Sequence, residues 1–155
     1  MKLLMLILEL HLSYFLKENN LGYEKTRLQR KVFKLVFQYD FNPEEDAKFT
    51  EDIFFKFNSV KLDDEELSYV SDRYEKIIEN LGDIDKNLDN SMEGWTISRI
   101  GKVELALLRV AVYEIIYDDD IDKSVAINEA VELAHKFGPD KSASFINGIL
   151  SKIGD

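Results

Sequence analysis

The stretch from Ile97 to Tyr117, ISRIGKVELALLRVAVYEIIY, constrains the fold of this chain more than any other feature. At helical spacing its apolar residues cover nearly the whole circumference, whereas a helix at the surface of a protein carries a single apolar stripe. The segment has no proline and only one glycine, near its start, so about five helical turns can form without a break. Ser98 is a suitable N-cap residue. We therefore predict a buried central helix that begins near Ser98 and has neighbours on most sides.

The few polar residues of this stretch fall on two lines along the predicted helix. Lys102 and Arg109 lie at nearly one angle, and Glu104 and Glu114 lie on the other side. Since charged side chains are almost never fully buried unless they are paired, this spacing predicts two narrow hydrated seams on the central helix.

The remainder of the sequence also shows helical periodicity, and no stretch alternates convincingly with a period of two. Gly82 is predicted to end one of these helices, and a short turn is predicted from Ile84 to Leu88. A length of 155 residues suits a single domain with a sizeable core. We therefore predict an all-α domain.

The chain opens with the strongly apolar stretch MKLLMLILELHLSYFL. Glu9 and His11 interrupt it, no small-residue cleavage site follows, and it is too short for the roughly 20 apolar residues that span a bilayer. We predict that residues 1–23 are an N-terminal extension, either an extra packed helix or a disordered segment, ahead of a helical domain over residues 24–155.

The charge of the chain is unevenly distributed. The formal net charge of −10 by itself argues against nucleic-acid binding, because phosphate contacts need clustered cations. Five cations nevertheless fall within ten positions that contain no acid: Lys25, Arg27, Arg30, Lys31 and Lys34. On a helix from Thr26 to Phe41, the cations from Arg27 onward share one side with Gln38, and the apolar residues occupy the other. This face is either an ordinary solvated helix surface or a surface for phosphates.

No catalytic or metal-binding pattern stands out. The absence of cysteine excludes thiol catalysis and thiolate metal sites, and it fits a reducing cytoplasm. Glu132 and His135 have the Glu-x-x-His spacing of helical di-iron proteins, but such a site needs two of these pairs with further glutamates. No glycine-rich phosphate loop is present. We therefore predict a protein that is not an enzyme and has no cofactor or metal.

Three segments carry a more specific signal than periodicity. They are WTISRIGKVELALLRVAVYEI from Trp95, VAINEAVELAHKFG from Val125 and KSASFINGIL from Lys141. Their Trp-x-x-x-Arg, Leu-Arg-x-Ala-x-Tyr-Glu, Ile-Asn-Glu-Ala-x-Glu-Leu-Ala and Phe-x-Asn-Gly-x-Leu motifs stand in the order and spacing of the NusB family of bacterial transcription antitermination factors. The C-terminal half of the chain thus resembles that family.

The resemblance implies an all-helical domain of two packed helical subdomains that binds single-stranded boxA RNA together with NusE, a small-subunit ribosomal protein, in an RNA polymerase antitermination complex. It implies no membrane partner. The RNA-binding residues that it implies are Lys25, Arg27, Arg30, Lys31 and Lys34, which would contact phosphates, and Lys141, Ser142, Ser144 and Phe145, which would lie near bases. The residues implied for the NusE surface are Phe37 and Glu104.

A different class of function also fits the sequence. The chain could be a non-enzymatic helical adaptor or structural protein that does not bind RNA, with the apolar N-terminus docked on a partner or a membrane surface. RNA binding that depends on Arg27 and Lys31 separates the two interpretations. A homodimer that hides the basic face is a further arrangement that the sequence leaves open.

Overall fold

The structure is a computed structural model that describes residues 24–41, 47–57 and 62–154. These ranges contain seven α-helices: α1 Glu24–Tyr39, α2 Ala47–Phe57, α3 Asp64–Glu79, α4 Leu81–Ser91, α5 Lys102–Tyr117, α6 Lys123–Phe137 and α7 Ser142–Leu150. A 3-10 turn, Ile97–Arg99, precedes α5. The described ranges contain no β-strand, and the prediction of an all-α fold is confirmed.

The chain divides into two compact units, with the boundary after Ile78. The first unit contains α1, α2 and nearly all of α3, and the second contains α4 to α7. The predicted N-terminal extension, residues 1–23, lies outside the described residues, so the predicted domain boundary at residue 24 stays a prediction. None of the helices in the described ranges is long and apolar enough to cross a membrane.

The core of the first unit forms where α1 packs on α2. Every residue from 32 to 38 is buried, so two turns of α1 are covered on all sides. Phe54 of α2 and Tyr74 of α3 are also fully buried. The Tyr74 hydroxyl donates a hydrogen bond of 3.2 Å to the carbonyl of Ala47, which joins α3 to the start of α2.

The second unit is organised around α5, which packs against α4, α6 and α7. Every residue from 105 to 114 is buried. The continuous apolar circumference of this helix therefore has the neighbours that it requires, and the prediction of a buried central helix is confirmed.

The start of the central helix differs from the prediction. Residues 97–99 form the 3-10 turn, the backbone is extended at Ile100 and Gly101, and α5 begins at Lys102 with Gly101 in the N-cap position. The prediction of Ser98 as the N-cap is therefore wrong. The Ser98 hydroxyl lies 3.1 Å from the hydroxyl of Thr96. The extended step separates the Trp-x-x-x-Arg segment from the helix that follows it.

The predicted hydrated seams are also wrong at two positions. Arg109 is 5% exposed and Glu114 is 3% exposed. The Nε and Nη2 atoms of Arg109 each donate a hydrogen bond of 2.9 Å to one carboxylate oxygen of Asp85 on α4. This paired geometry satisfies the guanidinium, which is why α5 can bury it against α4.

The segment after α3 is more helical than predicted. The chain breaks at Asn80, and Gly82 lies inside α4 instead of ending a helix. Ile84 and Leu88 are fully buried, which shows that the expected short turn is part of an amphipathic helix of 11 residues.

Candidate nucleic-acid interface

A pocket of about 550 Å³ lies in the second unit, beside the N-terminal ends of α5 and α7. Its volume is within the usual range of about 300 to 1,000 Å³ for ligand sites. It is lined by Trp95, Arg99, Ile100, Gly101, Glu104, Pro139, Lys141, Ser142, Ser144 and Phe145. The structure thus brings together the four residues that the resemblance places near bases and one of the two residues that it places on the NusE surface.

Two aromatic rings form one wall of this pocket. The rings of Trp95 and Phe145 meet edge to face, with their centroids 5.5 Å apart. The guanidinium carbon of Arg99 lies 5.4 Å from the centroid of the Trp95 ring, within the range of a cation–π contact. Trp95 is nevertheless 47% exposed. The exposed part of the Trp95 ring is a surface on which a nucleobase can stack, and Arg99 adds a positive charge beside it.

A carboxylate, that of Glu104, also lines the pocket. The hydroxyl of Ser142, which is buried, donates a hydrogen bond of 2.6 Å to Oε1 of Glu104. Gly101 makes room for the other carboxylate oxygen, because a β-carbon at residue 101 would overlap Oε2 of Glu104. Glu104 lies in the first turn of α5, where the positive end of the helix dipole favours a negative charge. Lys141 and Ser144 are exposed at the rim.

The basic residues of α1 belong to the first unit and are only partly exposed. Arg27 forms an ion pair with Glu66 on α3, and its side chain is 36% exposed. Arg30 and Lys31 are half-buried, and Lys34 is 4% exposed. The side chain of Lys25 lies outside the described residues.

The expected open cationic face of α1 is therefore not present at Lys34, nor at Gln38, which is 2% exposed. The physical reason is that α1 is covered on all sides between residues 32 and 38. The roles of the five α1 cations in RNA binding stay predictions.

The residues predicted to bind NusE also lie in different units. Phe37 is buried, and its ring contacts Phe33 at a centroid distance of 6.1 Å and Phe41 at 4.9 Å. Glu104 is half-buried in the pocket of the second unit. Phe37 thus contributes to the aromatic core of its own unit, and the roles of both residues in partner binding stay predictions.

Sequence reasoning missed Trp95 and Arg99 as site residues. Both were visible as the Trp-x-x-x-Arg motif, but they were assigned to the entry of a helix. The 3-10 turn Ile97–Arg99 follows Trp95 and ends at Arg99, and both residues line the pocket. In the described ranges, no group of three or more His, Cys, Asp or Glu side chains is placed to hold a metal ion, and both Glu132 and His135 are exposed.

Comparisons with known proteins agree with this architecture. The model of the NusB family matches residues 26–155. The transcription antitermination protein NusB of Lachnoclostridium phytofermentans is 42% identical over 132 residues, which cover 84% of this chain and 98% of that protein. The transcription antitermination protein NusB of Agathobacter rectalis is 38% identical over 128 residues, which cover 83% of this chain and 97% of that protein.

Solved structures show the same fold. T. maritima NusB is 32% identical to this chain with a TM-score of 0.76, and the match covers 85% of this chain and 91% of that one. A chain from the crystal structure of antitermination factors NusB and NusE in complex with dsRNA is 21% identical with a TM-score of 0.72, over 83% of this chain and 96% of that one, and it is similar in fold alone. Because the family model covers both units and the relatives are matched over nearly their whole length, the chain belongs to the NusB family.

Proposed function

We propose that this chain is a transcription antitermination factor that binds boxA-type RNA together with NusE. The observation that carries the proposal is the 42% identity to an antitermination protein over 98% of that protein's length. The solved complex of NusB and NusE with dsRNA supports the choice of partners, because one chain of that complex is similar in fold to this chain. The chain has no catalytic role, and its work is to assemble RNA with protein. We place this work in the cytoplasm, within an antitermination complex of RNA polymerase.

The pocket of the second unit has the chemistry that this function needs. Proteins recognise single-stranded RNA by stacking bases on aromatic rings and by contacting the backbone with cations. Trp95 and Phe145 supply the rings, and Arg99 and Lys141 supply exposed positive charge. This combination supports RNA binding at the pocket.

The net charge explains why a partner is needed. At a formal charge of −10, the acidic surface repels the RNA backbone within a Debye length of about 8 Å. A basic ribosomal protein would neutralise part of this field and extend the RNA-binding surface. We therefore expect RNA to bind the complex with NusE more tightly than it binds the chain alone.

Size-exclusion chromatography with NusE tests this proposal. We expect a 1:1 complex that retains boxA RNA at a concentration where the chain alone does not. Glu104→Arg should weaken the complex. It should also lower the melting temperature somewhat, because the buried Ser142 hydroxyl loses its acceptor, so circular dichroism is used to check that the variant is folded. Glu132→Arg is the matched control, because it makes the same charge change at an exposed position of α6 outside the pocket.

The absence of this complex would contradict the proposal. If the wild-type chain forms no complex with NusE and boxA RNA at micromolar concentrations, the antitermination function is wrong for this chain. The helical adaptor that does not bind RNA would then replace it.

A further inference from the structure

We propose that Glu66 is an internal competitor of RNA, which holds Arg27 in the RNA-free chain and has to leave it before Arg27 can bind a phosphate. This inference rests on the proposed function, because it takes Arg27 as one of the residues that contact the RNA backbone. It adds an autoinhibitory contact within the first unit. The contact acts on the backbone of RNA and not on its bases.

The ion pair of Arg27 and Glu66 joins two helices of the first unit. Nη2 of Arg27, near the start of α1, donates a hydrogen bond to Oε2 of Glu66 in the first turn of α3, and the two residues are 39 positions apart in the sequence. The side chain of Glu66 is only 22% exposed. The pair of Lys76 and Asp72, by contrast, lies within α3, and both of its side chains are more than half exposed. The contact of Arg27 with Glu66 is therefore a tertiary contact that is partly shielded from water.

The start of α3 positions the carboxylate of Glu66. The first turn of α3 contains three acids, Asp64, Glu65 and Glu66, where the positive end of the helix dipole favours negative charge. Asp64 and Glu65 are exposed, whereas Glu66 is half-buried. The backbone N–H of Glu66 donates a hydrogen bond of 2.8 Å to Oδ1 of Asp63, which caps the helix. Glu66 is thus the acid of this turn that a capped helix holds against Arg27.

A phosphate and a carboxylate compete for the same guanidinium. The N–H donors of an arginine bind both groups with the same planar geometry. A phosphate that used other donors of Arg27 would lie within a few ångström of the Glu66 carboxylate, where two negative charges repel each other. The favourable result is an exchange, in which the phosphate replaces the carboxylate. The gain from the new contact is then reduced by the strength of the ion pair that is lost.

This competition is independent of the RNA sequence. A phosphate contact carries no base information, so the loss of the ion pair lowers the affinity for every RNA by the same factor. An RNA that binds weakly is the first to fall below the concentration at which it binds. Glu66 would therefore suppress non-specific binding more visibly than the binding of boxA RNA together with NusE.

A single charge change on α3 tests this inference. Glu66→Gln removes the negative charge and keeps the size of the side chain. Glu65→Gln is the matched control, because it makes the same charge change in the same helical turn at an exposed position. The affinity for boxA RNA is measured by anisotropy of end-labelled RNA, with and without NusE.

We expect Glu66→Gln to bind boxA RNA about five-fold more tightly than the wild type. This ratio corresponds to about 1 kcal/mol, the upper end of the usual range for an exposed ion pair. Glu65→Gln should change the affinity by less than about two-fold, because salt screens the charge of an exposed side chain. RNA of scrambled sequence should show the same ratio between Glu66→Gln and the wild type. The melting temperature of Glu66→Gln should fall slightly, since the variant loses a contact between α1 and α3.

A double variant assigns the gain to Arg27. Arg27→Gln should weaken RNA binding, because a phosphate loses its cation. In the Arg27→Gln background, Glu66→Gln should give no more than the small change that Glu65→Gln gives. A cycle of this kind isolates the coupling between the two side chains. An ion pair with only a structural role would lower the melting temperature in Glu66→Gln and leave the RNA affinity at the level of the Glu65→Gln control.

The outcomes separate this inference from the proposed function. If Glu66→Gln and Glu65→Gln change the RNA affinity equally, or if the gain from Glu66→Gln persists without Arg27, the inference is wrong and the proposed function stands. If Arg27→Gln binds RNA as the wild type does, the inference is also wrong, and the proposed function then rests on the pocket of the second unit. If no RNA, including boxA RNA, binds with NusE present, the proposed function fails and the inference fails with it.

Discussion

The ion pair between Arg109 and Asp85 joins α5 to α4 in the second unit. The side chain of Arg109 is 7% exposed, and that of Asp85 is 26% exposed. Asp85→Ala leaves a buried guanidinium without its carboxylate, so we expect the free energy of unfolding to fall by about 3 kcal/mol. Urea unfolding measures this loss. Asp89→Ala, at an exposed position of the same helix, should change stability by less than about 0.5 kcal/mol, and an equal effect of the two variants would contradict the prediction.

Two carboxyl groups in the first unit give a second residue-scale prediction. Glu51 is buried and is bonded to Ser71 and Lys48. Its negative charge, with burial as the second cause, raises the pKa of Glu75 above the usual 4.5; Lys48 opposes the shift and Asp72 adds to it. Because the folded state then holds the Glu75 proton more strongly than the unfolded state does, the contribution of Glu75 to stability increases as the pH falls from neutral toward 4.5.

Glu75→Gln removes this repulsion. We expect the variant to be more stable than the wild type at pH 7, and we expect the difference to shrink as the pH approaches 4.5. Thermal melts across this range measure the effect. Glu79→Gln, an exposed acid at the end of the same helix, is the control. A difference between Glu75→Gln and the wild type that is constant with pH would contradict the assignment.

At the scale of elements, α5 is the helix on which the second unit depends. Leu107 is 2% exposed on a helix that contacts α4, α6 and α7. Leu107→Ala should lower the free energy of unfolding by about 2 to 5 kcal/mol, because the cavity has walls from several helices, and Val110→Ala should cost less. Val125→Ala, at a position 45% exposed, is the control. Denaturant unfolding with a loss below about 1 kcal/mol for Leu107→Ala would contradict the central role of α5.

Periodicity predicted the core of α5 because a helix that is apolar on every side has only one stable environment. It could not predict where α5 begins, because the apolar pattern does not reveal the extended backbone at Gly101. That backbone leaves room for the carboxylate of Glu104. It also could not predict the burial of Lys34, because the pattern of α1 gives the width of its apolar face and not the number of its neighbours. The partner of Arg109 lies on another helix, so no local spacing reveals it.

The same limit applies to the candidate site. The motifs identified Phe145 and Ser142, because both lie within one recognisable segment. They did not identify Trp95 as a wall of the same pocket. That position depends on the 3-10 turn and on the packing of α5 against α7, which are properties of the folded unit.

At the scale of the whole molecule, an acidic protein must bind RNA through a small number of local cations. The formal charge is −10, and in the second unit Lys141 is exposed at the rim of the pocket. Each phosphate that a cation neutralises on single-stranded RNA adds about −0.7 to the slope of log affinity against log salt. If about four phosphates are engaged, the slope for the wild-type chain with NusE is near −3.

Lys141→Gln should therefore make this slope shallower by about 0.7 and should weaken binding at low salt to all RNA sequences alike, because a phosphate contact carries no base information. Lys152→Gln is the matched control, since Lys152 is also exposed but lies outside the pocket. Anisotropy titrations at several salt concentrations measure both slopes. An unchanged slope for Lys141→Gln would show that the rim of the pocket does not contact the backbone, and a wild-type affinity that is independent of salt would show that RNA binding by this acidic chain is not electrostatic.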